Sequence, residues 1–404
     1  MLSKSLNRRF TKLKRSYEKL RFNWLLHQKT KACRKEILRD AEAALLSKKI
    51  FESEDAYAKS SDPLVQQGHN LKQEVCQSFK NKLNGSLSDR ILIQVPSAES
   101  SPAGYSLFSN LIESLQFIGV PCQALQWDED SQTIIDQFQP TVFLSSDHHT
   151  YLERINWTHL QAYKKIRPLK VGLTASLAEY DNSPLKERLE YAKQIGVDFF
   201  YSFRDIDYIH SKVEYQPFFN DGYSILTIPF GANILHYYPV PGIKKDLSFA
   251  LMASRKREHI RYLMNIASRY FGFIDGPGWN HIKNFEFNRT RDRYIYARAK
   301  VGLNVHLPEQ LEWACELNER TYQLAACGIP QLIDNPMLLN KVFNEEMIFS
   351  ANNPRHYSQL FEFILSNPEI AEKKALKAQQ EVFARHTTFH RAESFIEQLK
   401  VLKK

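Results

Sequence analysis

Short apolar runs alternate with stretches of helical periodicity from residue 91 onward, and this alternation constrains the fold more than any other feature. In the first half of the chain the apolar runs lie at 91–95, 141–144, 171–173, 198–201 and 226–229, with helical stretches at 107–119, 151–166 and 185–196 between them. Strands that alternate with helices build βαβ units, which place the strands in a parallel sheet with right-handed crossovers. The sequence therefore predicts an α/β fold.

The alternation pauses at the Pro-rich run PFGANILHYYPVP (229–241) and then restarts, which predicts a second domain. The later strands lie at 247–253, 301–306 and 331–333, with helices at 255–270, 291–299, 354–366, 369–385 and 390–402. We predict a pair of Rossmann-like domains, 86–238 and 239–404, that face a cleft and follow an N-terminal helical extension over 1–85. Ligands of such sheets bind beyond the carboxyl ends of the strands.

The positive charge of the chain is concentrated at its start. Residues 1–50 hold fifteen Lys and Arg against four Asp and Glu, a balance of +11, so the net charge of +9 leaves −2 for residues 51–404. The high isoelectric point therefore does not by itself indicate nucleic-acid binding, and we expect no nucleic-acid partner. A scaffold or nucleic-acid-binding protein that works through the basic segment is the weaker alternative.

The first part of the basic segment predicts a helix with a narrow apolar stripe. Steps of four and three residues join Leu6, Phe10, Leu13, Tyr17, Leu20 and Trp24. Lys and Arg residues lie between them. Three uses fit this pattern: a coiled-coil seam with a helix partner, packing on the protein's own surface, or binding to an anionic membrane leaflet. The sequence leaves the three open.

Cysteine usage and hydropathy predict a cytoplasmic protein. The five cysteines are scattered without a Cys-x-x-Cys pair, as expected of free thiols in a reducing compartment. No apolar run is long enough to span a membrane, and the first residues lack the apolar core of a signal peptide. If the basic helix binds a membrane, we expect a peripheral protein at its inner face.

Two motifs in the second half predict a site for an anionic ligand. Their residues are Arg255, Lys256, Arg257, Gly276, Gly278 and Trp279. The basic trio follows a strand and opens a helix, where cationic side chains and helix N–H groups together hold an anion. The Gly-rich turn gives a flat ring close access to the backbone. A solvated helix face and an ordinary turn are the alternatives.

The stretch NERTYQLAACGIPQLIDN (318–335) predicts a helix whose N-terminus faces the cleft. Asn318 is a good N-cap, Arg320 lies in the first turn, and Gly328 allows a sharp turn into the next strand. On the preceding strand, Asn304 and His306 come at the edge where ligands bind. A purely structural histidine is the alternative. The combination predicts a helix that meets a nucleotide-sugar diphosphate.

These motifs resemble the CgeB-like group of GT-B glycosyltransferases. The resemblance rests on GLNVH (302–306), on NERTYQLAACGIPQL (318–332), on the spacing between them and on the late pair His386 and Arg391. It implies a metal-independent, hexosyltransferase-like enzyme that moves a sugar from a nucleotide donor to a glycan, lipid-linked or protein acceptor. The C-terminal half then holds the donor and the N-terminal half the acceptor, with no cofactor beyond the donor substrate.

One departure from the family pattern concerns catalysis. Related retaining enzymes carry a Glu-x7-Glu pair, whose second position falls at Gln323 and whose first falls at Cys315. An amide still hydrogen-bonds ribose hydroxyls, because it both donates and accepts. Glu316 and Glu319 are the available substitutes for the missing carboxylate. The departure also keeps open a catalytically inactive glycan- or nucleotide-binding protein on the same fold.

The first half offers a candidate base for the acceptor. Asp147 and His148 follow the apolar run 141–144, where a cleft residue belongs. We hypothesise that one of them removes the proton of the acceptor hydroxyl or binds the acceptor. A polar loop that caps the next helix is the alternative.

Two Asp-x-Asp strings, 128–130 and 205–207, invite a metal-dependent interpretation. Neither lies in the half with the donor motifs, and acidic helix starts explain both. We therefore expect no obligatory metal.

Overall fold

The computed structural model describes residues 2–47, 53–85, 89–177, 184–279, 282 and 285–402, and in these ranges the strands form two parallel sheets. The first sheet has the order β2-β1-β3-β4-β5-β6 and contains β1 (Ile91–Val95), β2 (Cys122–Gln126), β3 (Val142–Ser145), β4 (Lys170–Thr174), β5 (Phe199–Ser202) and β6 (Ile225–Thr227). The second has the order β11-β10-β9-β7-β8 and contains β7 (Phe249–Met252), β8 (Gly272–Asp275), β9 (Gly302–Asn304), β10 (Gln331–Asp334) and β11 (Phe349–Ala351). The predicted α/β pair of Rossmann-like domains is confirmed.

Helices surround both sheets and also precede them. The N-terminal helices are α1 (Leu2–Leu46), α2 (Glu54–Ala58) and α3 (Pro63–Phe79). Those of the first domain are α4 (Pro102–Phe117), α5 (Ser131–Phe138), α6 (His149–Leu152), α7 (Trp157–Ile166), α8 (Leu185–Ile195), α9 (Ile206–Ser211) and α10 (Gln216–Asn220). Those of the second are α11 (Arg257–Ala267), α12 (Arg289–Arg298), α13 (Pro308–Glu312), α14 (Glu319–Ala326), α15 (Leu339–Val342), α16 (Pro354–Ser366), α17 (Pro368–Arg385) and α18 (Thr388–Val401).

Both faces of the first sheet are covered, which explains why its central strands read as continuous apolar runs. In β1, Ile91 and Ile93 face one core while Leu92 faces the other, and all three are fully buried. A parallel strand with helices on both sides has no solvent face and so needs no polar alternation.

Sequence reasoning missed three strands, and each has a physical reason. β2 reads CQALQ, because its place at the edge of the sheet leaves part of it accessible and tolerates polar residues. β8 merges into the Gly-rich turn that follows it, and β11 is a three-residue edge strand. None of them gives the apolar run that marks a buried strand.

The chain passes between the two domains at two places, the connector near Ala232 and the junction of α17 and α18, and these two segments lie side by side. The connector at Ala232 pairs with the α17–α18 junction, since its N–H donates to the carbonyl of His386 at 2.9 Å and its carbonyl accepts from the N–H of Thr388 at 2.9 Å. Beyond this point α18 packs on α4 and β6 of the first domain. The predicted division at 238–239 stays a proposal, and α18 returns the end of the chain to the N-terminal domain.

The N-terminal helices pack mainly on the second domain. α3 lies along α17, and the C-terminal end of α1 packs on α12 and β8. The hydroxyl of Tyr57 donates to the carbonyl of Pro239 at 3.0 Å, and Lys72 and Arg293 lie over the ring of Tyr238. Residues 53–79 are therefore built into the body of the protein.

The predicted apolar stripe of α1 is only partly described. The side chains of Leu6, Phe10 and Leu13 lie outside the described residues. Those of Tyr17, Leu20 and Trp24 are 66%, 68% and 60% exposed, so they do not pack on the protein's own surface. In the described part of the chain, no helix combines the length and the apolarity needed to cross a membrane.

Candidate functional site

A cavity of about 230 Å³ lies between the two domains and is called the interdomain cavity below. Its walls come from the carboxyl ends of β7 and β8, the N-terminal end of α14 and the start of α4. Its lining includes Ser106, Ser254, Gly276, Glu319, Arg320 and Gln323. It occupies the sheet edge at which parallel α/β folds bind their ligands.

The turn after β8 forms one wall of this cavity. Gly276 has a φ of +135°, and a Cβ atom there would lie 2.3 Å from the carbonyl oxygen of Ala253. The N–H of Arg255 donates to the carbonyl of Pro277 at 2.8 Å. The loops after β7 and β8 are thus held against one another at a distance that only glycine permits.

The other two residues of the Gly-rich motif support this wall. Trp279 is 2% exposed and packs in the core of the domain, with its indole N–H donating to the carbonyl of Ala253 at 2.7 Å. Gly278 has a φ of +79° and lies beside Arg255. The ring of Trp279 is therefore a buried brace and does not itself line the cavity.

The basic trio lies at the start of α11. Lys256 is the N-cap of this eleven-residue helix, and Arg257 is its first residue. Ser254, next to Arg255, lines the interdomain cavity. Among the described residues, none of the three cations of the trio forms an ion pair. None of the three lines the interdomain cavity; they follow its lining residue Ser254 along the chain.

Arg320 is half-buried at the base of the cavity and ties three elements together. Its guanidinium donates to the carbonyls of Met252 at 2.8 Å and Val305 at 3.3 Å, and to Oδ1 of Asn304 at 3.1 Å. Burial lowers the pKa of Arg320, which starts far above neutrality, so the side chain stays cationic. It therefore fixes the start of α14 to the ends of β7 and β9.

Asn304 and His306 lie behind the cavity and orient α14. The side chain of Asn304 donates to Thr321, and its oxygen accepts from Asn318 at 2.8 Å. His306 Nδ1 lies 2.7 Å from Asp334 Oδ1, and its Nε2 accepts from the N–H of Asn318 at 3.3 Å. Burial lowers the pKa of His306, in agreement with a neutral ring that accepts at Nε2. The side chains of Asn304 and His306 therefore use their hydrogen bonds to hold the start of α14 in place.

The two ends of α14 follow the sequence prediction. Asn318 caps the helix, since its side-chain oxygen accepts from the N–H of Thr321 at 3.2 Å. Gly328 has a φ of +70° and lies in the turn into β10, where a Cβ atom would approach Gln379 at 2.8 Å and Leu64 at 3.2 Å. Glycine at this position lets the chain turn while α14 packs closely on its neighbours.

Glu319 joins the two domains across the interdomain cavity. Its carboxylate accepts from the hydroxyl of Ser106 at 3.1 Å and from the amide of Asn110, both on α4. Burial raises the pKa of Glu319, and hydrogen bonds from Ser106, Asn110 and Gln323 oppose that rise. Gln323, 8% exposed, lines the cavity one turn further along α14. A carboxylate and an amide thus stand together at the cavity.

A second cavity, of about 250 Å³, lies at the carboxyl ends of β3, β4 and β5. Its walls combine hydroxyls with aromatic rings: Ser146, Thr174, Ser176, Ser202, Tyr151, Tyr201, Phe203 and Phe230. Arg204 and Glu316 also line it. Sequence reasoning missed most of this set, although the polar residues that directly follow β3 and β5 were a usable signal.

Glu316 belongs to this second cavity and not to the first. The amide of Gln310 donates to its carboxylate at 2.8 Å, and Arg204 of the N-terminal domain lies 3.9 Å from it. Burial raises the pKa of Glu316, which Arg204 opposes. The two substitutes for the missing family carboxylate therefore take different places, Glu319 at the first cavity and Glu316 at the second.

Neither Asp147 nor His148 lines either of these cavities, although Asp147 contacts two lining residues of the second one. Asp147 accepts from Thr174 at 2.7 Å and from Ser176 at 2.5 Å, and pairs with Arg188. It lines a separate, mostly apolar cavity of about 270 Å³. His148 is the N-cap of α6, because its Nδ1 accepts from the N–H of Thr150 at 3.3 Å. That Asp147 or His148 acts as the base toward the acceptor stays a hypothesis. The structure does show that this loop caps α6.

The two acidic strings cap helices. Asp130 accepts from the N–H of Thr133 at 2.9 Å at the start of α5, and Asp205 accepts from the N–H of Asp207 at 3.0 Å at the start of α9. Lys341 binds both carboxylates of the second string. No group of three or more His, Cys, Asp or Glu side chains within the described ranges is arranged to hold a metal ion.

The arrangement of the two domains identifies the fold class of the protein. Two Rossmann-like domains that face a cleft, with the last helix returning to the first domain, make the chain an α/β protein of the GT-B fold. The family model described as "glycosyl transferase-like" matches residues 252–397, which run from the end of β7 into α18. The resemblance drawn from the motifs is thereby confirmed. No curated protein matches the chain significantly.

Solved structures share the fold at low sequence identity. A sucrose-phosphate synthase from Thermosynechococcus elongatus is 14% identical, with a TM-score of 0.53 over 78% of this chain and 99% of that chain. An alpha-glucosyltransferase in complex with UDP and DNA is 10% identical, with a TM-score of 0.55 over 78% and 100%. HepE of Anabaena in complex with UDP-glucose is 10% identical, with a TM-score of 0.51 over 78% and 100%.

Proposed function

We propose that the protein is a glycosyltransferase that takes a sugar from a nucleotide-diphosphate donor in the interdomain cavity and transfers it to a hydroxyl of a glycan, lipid-linked or protein acceptor. The observation that carries the proposal is the interdomain cavity itself. Its wall on the C-terminal domain lies at the carboxyl ends of β7 and β8, where the start of α14 and Arg320 meet, within the part of the chain matched by the glycosyl transferase-like model. Cationic and helix N-terminal groups at such an edge suit a diphosphate.

The donor diphosphate is expected between the loop at Ser254 and the start of α14. The first N–H groups of a helix have no acceptor within the helix and so favour an anion. Arg255, Lys256 and Arg257 follow the lining residue Ser254 and add positive charge to this region, and Arg320 places a half-buried cation in the cavity wall. Leaving-group charge develops on the diphosphate as the glycosidic bond breaks, and fixed positive groups stabilise it.

The remaining lining supports a nucleoside next to the diphosphate. Gln323 and Glu319 offer an amide and a carboxylate for ribose hydroxyls, and the turn at Gly276 gives a base close access to the backbone. UDP-glucose is the first donor to test, because HepE and the alpha-glucosyltransferase of similar fold are solved with UDP-glucose or UDP.

The acceptor is expected in the second cavity. Aromatic rings together with hydroxyl groups suit a sugar ring, which has apolar faces and a polar edge. Glu316 lies in this cavity on the side of the C-terminal domain, and Arg204 lies beside it. We assign to Glu316 the role of base toward the acceptor hydroxyl, ahead of Asp147 and His148, which the cavity does not include. Domain closure would exclude water from the transfer.

An inactive binding protein on the same fold is the second candidate. It is favoured by Gln323 and Cys315 at the two positions where related retaining enzymes carry glutamates. Glu319 weighs against it, because this carboxylate lines the interdomain cavity four residues before Gln323. A half-buried carboxylate beside the donor is a costly feature for a protein that only binds.

The test is nucleotide-sugar binding and turnover by the purified chain. Thermal shift is measured against a panel of UDP- and GDP-sugars, and release of the nucleoside diphosphate is then followed with the best ligand. Arg255→Ala/Arg257→Ala should weaken binding, while Arg261→Ala/Lys300→Ala, which removes two exposed cations from the same domain, should not. Binding without any diphosphate release would favour the inactive protein, and no response to any donor would contradict both.

A further inference from the structure

The helix α1 consists of an anchored part and a projecting part. Ile37 and Ala41 are 1% and 0% exposed where α1 packs on α12 and β8, and Arg34 lies 3.3 Å from Asp275. Every described side chain from Lys14 to Ala32 is exposed. At 1.5 Å per residue, the projecting half of α1, residues 2–33, extends for roughly 48 Å. The part of this length with described side chains, from Lys14 to Ala32, is available to a partner.

The projecting half carries the whole net charge of the protein. Residues 2–33 contain ten Lys and Arg and one Glu, a balance of +9, which equals the net charge of all 404 residues. The remainder of the chain is therefore neutral on balance. A partner of this helix is expected to be anionic.

Exposed apolar side chains accompany the charge. Tyr17, Leu20 and Trp24 are 66%, 68% and 60% exposed and follow one another at steps of three and four residues, which places them on one face of the helix. The sequence continues the same spacing toward the N-terminus with Leu13 and Phe10. An aromatic and leucine face combined with Lys and Arg is the composition of helices that lie in the headgroup region of a membrane.

A second copy of the chain fits this helix poorly. If Tyr17 and Trp24 occupied the a positions of a coiled coil, the flanking e and g positions would hold Arg9, Lys14 and Arg21, with no acidic residue among them. Two copies would then place like charges opposite one another along the seam. A nucleic acid would satisfy the charge but leave the face of Leu20 and Trp24 in water.

We propose that the projecting half of α1 binds an anionic lipid surface, with Tyr17, Leu20 and Trp24 at the headgroup level and the flanking Lys and Arg on the lipid charges. This inference does not depend on the transfer reaction. The anchored end of the same helix touches β8, whose Asp275 lines the interdomain cavity. The protein would therefore work while held at a membrane through its C-terminal domain.

The test is sedimentation of the full chain with vesicles of phosphatidylcholine alone or mixed with phosphatidylserine. Binding is expected only to the mixed vesicles and should weaken as salt is raised. Lys14→Glu/Arg21→Glu should lower the affinity by about 30-fold or more, at about 1 kcal/mol for each cation. Lys80→Glu/Lys300→Glu changes the net charge equally at exposed sites away from α1 and should bind as the wild type does.

A second variant separates the apolar face from the charge. Leu20→Ser/Trp24→Ser keeps every cation, so it should weaken vesicle binding while leaving the salt dependence in place. Equal binding by this variant or by Lys14→Glu/Arg21→Glu, or no binding by the wild type, would overturn the proposal. It would also be overturned if duplex DNA bound more tightly than the vesicles, or if the wild type dimerised through α1.

Discussion

The carboxylate of Glu319 accepts a hydrogen bond from the hydroxyl of Ser106 at 3.1 Å, across the boundary between the two domains. Asn110 donates to the same carboxylate from the same helix of the N-terminal domain. The first residue of α14 is therefore held by the partner domain while its neighbour Arg320 is held by β7 and β9. The start of the proposed donor helix is fixed from both sides.

Glu319→Gln separates the charge of this contact from its shape. We expect donor affinity to fall by about 10-fold, because a charged acceptor for the ribose hydroxyls is lost. Burial raises the pKa of Glu319, so its ionisation opposes folding as pH rises. The variant should therefore match or exceed the wild type in thermal stability near neutral pH, and this difference should vanish in acid. A lower thermal stability of Glu319→Gln than of the wild type at neutral pH would contradict the conclusion that ionised Glu319 opposes folding.

Arg320→Lys tests the hydrogen bonds of the guanidinium. A lysine keeps the charge but cannot reach Met252, Val305 and Asn304 together, so buried acceptors lose their donor. Urea unfolding should show a loss of about 2 kcal/mol, with sharply lower turnover where the chain stays folded. Arg261→Lys, at an exposed position of the same domain, serves as the control. Unchanged stability and activity of Arg320→Lys would contradict the importance of the hydrogen bonds from Arg320 to Met252, Val305 and Asn304.

Gly276→Ala tests the close approach of the loops after β7 and β8. The new Cβ would lie 2.3 Å from the carbonyl of Ala253 at a φ of +135°, so the wall of the interdomain cavity must shift. We expect donor affinity to fall by about 10-fold, measured by calorimetry. Gly242→Ala, at a φ of +71° with no atom within 4 Å, carries the backbone strain alone. Equal affinities of the two variants would refute the role of this wall.

Arg34→Ala tests whether α1 supports the donor side of the cavity. Asp275 is fully buried and lies 3.3 Å from Arg34 and 3.4 Å from Arg291. With one cation removed, the stability should fall by about 2 kcal/mol, and donor affinity should fall with it. Arg39→Ala removes an exposed cation from the same helix and should do neither. A neutral result for Arg34→Ala would make this contact incidental.

Glu316→Gln tests the division of labour between the two cavities. The variant should bind the donor normally, because Glu316 lines the second cavity and not the first. Transfer to an acceptor should fall by about 100-fold, as for loss of a general base. Calorimetry with UDP gives the first quantity and an acceptor assay the second. If Glu316→Gln lost donor affinity and kept transfer to the acceptor, Glu316 would belong to the donor site, and the assignment to the acceptor cavity would be wrong.

The alternation of apolar runs predicted both domains because buried parallel strands leave a strong local pattern. It did not reveal that Glu319 meets Ser106, since residues 213 positions apart are brought together only by the packing of two domains. It also did not reveal that Trp279 is buried behind the cavity wall, because a buried brace and a stacking platform have the same local sequence. The fold could thus be predicted from local periodicity, whereas the geometry of the site depends on long-range contacts.

The position of a bound donor tests the central claim most directly. Diffraction from crystals grown with UDP should show the diphosphate in the interdomain cavity, between the loop at Ser254 and the start of α14, with the nucleoside near Gln323 and Gly276. Density for UDP elsewhere, with this cavity filled by protein side chains, would contradict the proposed site.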